Sequence, residues 1–142
     1  VGQAVAGDGA APETTDDPLE HVAAYNAASI AAGVTGRADV LRPYLAADGP
    51  AWQAVAREFT RRAERGEIHQ PRLVRWGLVG QTVTATRAML ETQEVWDDET
   101  LVGGTLIDAR RGLVQRVRYD LRRADPSQPW QIETIESQTM LP

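Results

Sequence analysis

The sequence predicts an α+β domain, with N-terminal helices packed on one face of a curved antiparallel sheet. Two observations predict it. Apolar residues recur near every 3.6 positions between Pro18 and Gly66, and after Pro71 the apolar period drops to 2. Helices first, then strands joined by short turns, is the order of an α+β domain. A chain of 142 residues is of single-domain size and long enough to bury a core. It has no cysteine, which excludes a disulfide scaffold and thiolate metal sites. No run approaches the roughly 18 apolar residues of a membrane helix.

Charge divides the chain. Residues 1–20 hold Asp8, Glu13, Asp16, Asp17 and Glu20 with no basic residue, and the net charge of the whole chain is −5. The rest is therefore neutral. A neutral body offers no electrostatic case for nucleic acid or for an anionic membrane. All 15 basic residues are Arg, which fits a GC-rich bacterial genome better than a function.

Residues 1–17, VGQAVAGDGAAPETTDD, have too little bulky apolar surface to offset the entropy of ordering. They are read as a flexible acidic tail or linker, and 18–142 as the folded domain. The chain starts at Val rather than Met. The tail is expected to follow an export signal or membrane anchor that has been removed, giving an extracytoplasmic, membrane-anchored or secreted domain. The alternative is a junction between cytoplasmic domains.

The elements follow in order. Asp17-Pro18-Leu19-Glu20 starts a helix, with Asp17 as cap and Pro18 at the first helical position. Leu19, Val22, Ala23, Asn26 and Ile30 share one face, and the helix ends near Gly33. A short helical piece covers 37–45, RADVLRPYL. Asp48-Gly49-Pro50 opens a third helix with the stripe Trp52, Val55, Ala56 and Phe59, and Gly66 stops it. Residues 73–79 form a strand and Gly80-Gln81 a turn. Residues 82–96 form a long strand and Asp97-Asp98-Glu99 a turn. Gly103-Gly104 marks a hairpin in a run that reads ambiguously. A strand over 113–122 alternates cleanly, Asp125-Pro126-Ser127-Gln128-Pro129 turns, and Trp130 begins the last strand.

These pieces carry a resemblance. The capped first helix, LRPYL, the Trp-bearing helix and long strands ending in VRYDLRR and PWQIETI resemble the NTF2-like (cystatin-like) superfamily over 18–142. Arg116–Arg123 and Trp130–Ile132 are similar to extracytoplasmic or membrane-tethered modules of that superfamily. These include the C-terminal domain of cyanobacterial and plastid division proteins. The resemblance implies a sheet curled against the first helix around a conical pocket, where enzymes of the superfamily place Asp/His or Asp/Tyr sets. It also implies that the open sheet face is a common dimer surface.

Strand parity then sorts the polar residues. Apolar odd positions on 113–121 face inward. Pairing across the 124–129 turn makes Trp130, Ile132, Thr134 and Glu136 inward, and the long strand is read with Val83, Ala85, Arg87 and Met89 inward. The polar pocket candidates are then Arg87, Gln115, Tyr119, Thr134 and Glu136, with Asn26 facing them from the first helix. Such a set suits a small polar or anionic ligand. A bulge at Ile135 would turn Glu136 outward instead.

The opposite phase carries Arg116, Arg118 and Arg122, with Glu133 in diagonal reach of Arg118 or Arg122. This stripe is either a solvated ion-pair lattice or a contact face for a protein partner or a second copy. His21 is expected beside the first helix's stripe and His69 in the linker to the strands, neither with an acid at ligand spacing. No metal site, cofactor or catalytic set is therefore expected. The serines lie in no nucleophile elbow and no phosphate loop is present. Trp96 is the tryptophan expected to be exposed. The leading expectation is a non-catalytic NTF2-like protein-interaction module, touching a membrane only through a lost anchor. The alternative is a small pocket enzyme (an isomerase, dehydratase or cyclase) or a ligand carrier.

Overall fold

The computed structural model describes residues 17–140, so all of the expected acidic tail except Asp17 lies outside the described residues. Helix α1, Pro18–Thr35, begins where Asp17 Oδ1 accepts the Leu19 N–H at 2.9 Å. It runs two residues past the expected Gly33 and ends at Gly36, whose φ of 73° is the left-handed conformation glycine tolerates. A 3-10 helix, Ala38–Tyr44, follows. Helix α2, Pro50–Arg65, starts at Gly49-Pro50 and stops at Gly66, as the punctuation of the sequence requires.

Four strands make one antiparallel sheet in the order β1-β2-β3-β4: Glu67–Val83, Arg87–Val102, Thr105–Arg122 and Gln131–Thr139. The helices cover one face. The core between them joins Val22 and Tyr25 of α1 with Leu41, Leu45, Leu90, Val117, Tyr119, Leu121, Trp130 and Ile132. After the 3-10 helix, Ala46 N–H binds Ile132 O at 2.8 Å, which pins the start of α2 to the edge of β4.

Two expected turns lie elsewhere, each for a local reason, and the expected Gly103-Gly104 hairpin stands. Gly80-Gln81 is not a turn. The β1–β2 register slips between Leu78 and Gly80, so Val79 is a bulge residue and the strand continues. The chain turns at 84–86, where Thr84 N–H binds Arg87 O and Thr84 Oγ1 accepts the Arg87 N–H. Asp97-Asp98-Glu99 also lies inside a strand. Asp97 Oδ1 takes the N–H of Gly112, the bulge glycine opposite it, at 2.8 Å, so this acidic run stays paired. The β2–β3 turn is Gly103-Gly104, with φ of 59° and 81°.

Strand length shapes the surface. A 17-residue strand spans about 55 Å, whereas the 18 residues of α1 span about 27 Å. The helices therefore cannot cover the whole inner face. Val83 is 45% exposed although it pairs with the inward Ala88. At the opposite end, Leu106 and Ile107 project at the β2–β3 turn.

Candidate functional site

Register fixes which side chains enter the cone. Ala88 pairs with Leu121, Leu90 with Tyr119 and Thr92 with Val117, and all six are buried. The inward phase of β2 is therefore even. This corrects the sequence parity, which read 82–96 as one unbroken strand and so ran it through the turn at 84–86. Arg87 pairs with Arg122 on the outer face, 64% exposed, with its guanidinium on Glu133 at 3.0 Å. Ala85 lies in the turn and Met89 points outward beside Asp120. A second correction concerns β4. Glu133 is a bulge residue, so Thr134 falls opposite Asp120 and Glu136 opposite Arg118, both on the outer face. Thr134 Oγ1 donates to Asp120 at 2.8 Å.

Asn26 and Tyr119 do enter the cone, and they meet a residue that the sequence reading passed over. Glu94 is 2% exposed and its carboxylate has four neutral donors. Tyr119 O–H donates to Oε2, with Thr92 Oγ1 at 2.7 Å and Asn26 Nδ2 at 3.5 Å on the same oxygen. The Trp96 indole N–H reaches Oε1 at 2.9 Å. Asn26 Nδ2 also lies 3.3 Å from the Tyr119 hydroxyl. A buried carboxylate without hydrogen bonds would be very costly; these donors replace the lost water. Burial, with the Glu94 charge added, pushes Tyr119 well above the usual phenol range and Tyr25 up to about 12. Both phenols therefore stay protonated. Gln115 pairs in register with Glu94 and is half-buried, outside this set of bonds. The available signal for Glu94 was its even parity with Leu90 and Thr92.

A cavity of about 370 Å³ opens between α2 and the sheet. Tyr25, Leu41, Val55, Phe59, Trp96 and Ile135 give it apolar walls. The stripe of α2 is half-buried rather than sealed because this space separates it from the strands. Polar groups gather on the cavity wall. His69 Nδ1 lies 2.9 Å from Asp98 Oδ2 and its Nε2 lies 3.3 Å from Glu67 Oε1. His69 thus has two acid partners, Glu67 two residues before it on the same strand and Asp98, which arrives across the β1–β2 ladder and which no spacing in the sequence displays. Glu58 is held down to about 2 by the Arg61 guanidinium, helped by Arg62.

Two further expectations are corrected. His21 is not a surface residue but is 1% exposed, with Nε2 3.0 Å from Tyr44 O, and burial lowers its pKa. Trp96 is half-buried, turned inward by its bond to Glu94.

The interface candidates Arg116, Arg118 and Arg122 share the outer face, which none of the described helices covers. Each has an acid: Glu91 at 3.5 Å from Arg116, Asp120 at 3.3 Å from Arg118, and Asp48 at 2.8 Å from Arg122. Glu133 reaches Arg122 at 3.3 Å and Arg87 rather than Arg118. Among the described residues no group of three His, Cys, Asp or Glu is arranged to hold a metal ion.

This architecture recurs among solved structures. The intermembrane space region of the chloroplast protein ARC6 superposes with a TM-score of 0.68 at 20% identity, covering 91% of this chain and 100% of that one. A proposed dehydratase of the NTF2-like family from Streptomyces avermitilis gives 0.55 at 19%, covering 91% and 100%. A periplasmic fragment of TraM gives 0.57 at 12%, covering 86% and 98%. The chain has the NTF2-like, or cystatin-like, fold. No protein-family model and no curated protein matches it.

Proposed function

We propose that this domain is a non-catalytic NTF2-like module that binds a protein partner through the uncovered face of its sheet, outside the cytoplasm. The observation that carries the reading is the contrast between the two faces. Inside the cone, the deep polar groups bond one another around Glu94. The outer face is covered by none of the described helices and is dense with charge. Similarity to an intermembrane-space region and to a periplasmic fragment supports the extracytoplasmic setting. Reversing Arg118 to Glu tests the reading. The fold should hold, since a solvated surface change moves stability by under about 0.5 kcal/mol. Capture of a partner by the tagged domain should be lost, because a like charge in a desolvated contact is repelled. Capture that survives the reversal removes the reading.

One observation favours a second reading, a pocket enzyme or small-ligand carrier. His69 and Asp98 form a hydrogen-bonded pair on the wall of the 370 Å³ cavity. Native mass spectrometry distinguishes the two. A small molecule retained by the wild type and lost when Ala54, on the cavity wall, is replaced by Trp supports the second reading.

A further inference from the structure

We infer that the corner of the sheet where β2 begins and β3 ends binds the phosphate group of a phosphomonoester. Two turns meet there. Arg123 N–H binds Thr86 O at 3.1 Å, and Arg123 Nε donates to Ala85 O at 2.9 Å. Beside these bonds opens a second cavity of about 580 Å³, which shares no lining residue with the apolar one under α2. Arg87, Arg122 and Arg123 line it, together with Thr86, Gln128 and Gln131. Among the described residues no carboxylate lines it.

This grouping runs against what a sheet prefers. Arg87, Arg122 and Gln131 form one row across β2, β3 and β4, so two arginines stand directly opposite each other. Like charges in that position repel. The acids nearby do not turn into the cavity. Glu133 is shared between Arg87 at 3.0 Å and Arg122 at 3.3 Å. Asp48, 2.8 Å from Arg122, has its side chain 85% exposed, where water screens the pair. Asp125 accepts the N–H and O–H of Ser127 within its own turn. Arg123 is held in place, its guanidinium 4.1 Å from the centre of the Trp130 ring, so little side-chain freedom remains to be lost on binding. A planar guanidinium carries five N–H donors and pairs well with phosphate oxygens. Three of them, from three backbone positions, match the three terminal oxygens of a phosphomonoester; a carboxylate offers two. The space exceeds what a phosphate alone fills. The Thr86 hydroxyl and the amides of Gln128 and Gln131 both donate and accept, which suits a hydroxyl-bearing group esterified to that phosphate.

Titration calorimetry in a phosphate-free buffer tests this, with glycerol 3-phosphate, inorganic phosphate and acetate as soluble probes. Vesicles of phosphatidylcholine with and without phosphatidic acid present the same phosphate on a lipid. Wild type should bind at least one phosphate probe, and acetate about tenfold more weakly or not at all. Arg87→Gln and Arg123→Gln should each weaken phosphate binding about tenfold or more, the loss expected for a charged hydrogen bond. Arg75→Gln, an exposed site on β1 with the same change in net charge, should leave binding unchanged. Melting curves show which variants are folded; Arg87 is 64% exposed, so its variant decides the matter if loss of the Arg123–Trp130 contact unfolds the other. Binding of the soluble esters assigns a soluble source, and sedimentation with the phosphatidic acid vesicles alone assigns a lipid headgroup. A wild type that binds no phosphate probe overturns the inference. So does acetate bound as tightly as phosphate, a folded Arg87→Gln that binds as wild type does, or an equal loss in Arg75→Gln.

Discussion

The two faces of β2 share one backbone and have opposite fates. Ala88, Leu90, Thr92 and Glu94 are buried under α1, whereas Arg87, Met89, Glu91 and Gln93 alternate with them on the open side. The contrast is sharpest between two glutamates three residues apart. Glu94 is 2% exposed and fixed by four neutral donors. Glu91 has its side chain 39% exposed and meets one guanidinium at 3.5 Å. Residue type does not decide which is buried. The helical cover decides it, and the sheet presents whichever parity the turns impose.

The largest expected effect follows from that cover. Leu90→Ala should destabilise the domain by about 2–5 kcal/mol, the range for emptying a packed leucine site. Arg118→Ala on the opposite phase should stay within about 0.5 kcal/mol. Denaturant unfolding of both variants measures the difference, and equal losses would break the comparison. A second pair sharpens it with hydrogen bonds instead of packing. Tyr119→Phe removes the hydroxyl that donates to buried Glu94 and should cost about 1–3 kcal/mol. Thr134→Val removes a half-exposed bond to Asp120, which water can replace, and should cost clearly less.

Much of this was legible in the sequence, and the rest failed for identifiable reasons. Helix starts and stops at Asp17, Gly49-Pro50 and Gly66 are local chemistry, so they read directly. The inward phase of β3 read correctly because Val117, Tyr119 and Leu121 alternate with charge. The phase of β2 did not, because Gly80-Gln81 looks like a turn and is a bulge; moving the hairpin to 84–86 inverts parity for every later residue of the strand. Asn26 and Tyr119 fell together because each was referred to the cone by an independent stripe. Asp98 beside His69, and Glu94 beneath Tyr119, depend on register between strands, which one sequence does not display.

Two glycine substitutions separate the turn from the bulge. Gly104 has a φ of 81°, so Gly104→Ala should cost about 1 kcal/mol through backbone strain alone. Gly80 has ordinary backbone angles and nothing within 4 Å of an added Cβ, so Gly80→Ala should be neutral or stabilising by up to about 1 kcal/mol. Thermal unfolding separates them. A comparable loss at Gly80 would return a turn to that position and undo the corrected parity.

The smallest expected effect belongs to the covered side and appears only as pH changes. His21 sits under the 3-10 helix with Nε2 on the Tyr44 carbonyl, and burial lowers its pKa below the ordinary 6.5. The unfolded chain therefore takes up a proton at a higher pH than the folded one. Above 6.5 both states are neutral at this site and it contributes no pH dependence. As pH falls through 6.5 toward the lower folded value, the unfolded state binds the proton first and stability declines. His21→Gln keeps an N–H donor for the Tyr44 carbonyl but cannot titrate. The difference in stability between wild type and this variant should be constant above pH 7 and shift against the wild type below 6.5. A difference that stays flat down to pH 5 would show that the folded state accommodates the imidazolium, so that His21 is less firmly covered than its packing implies.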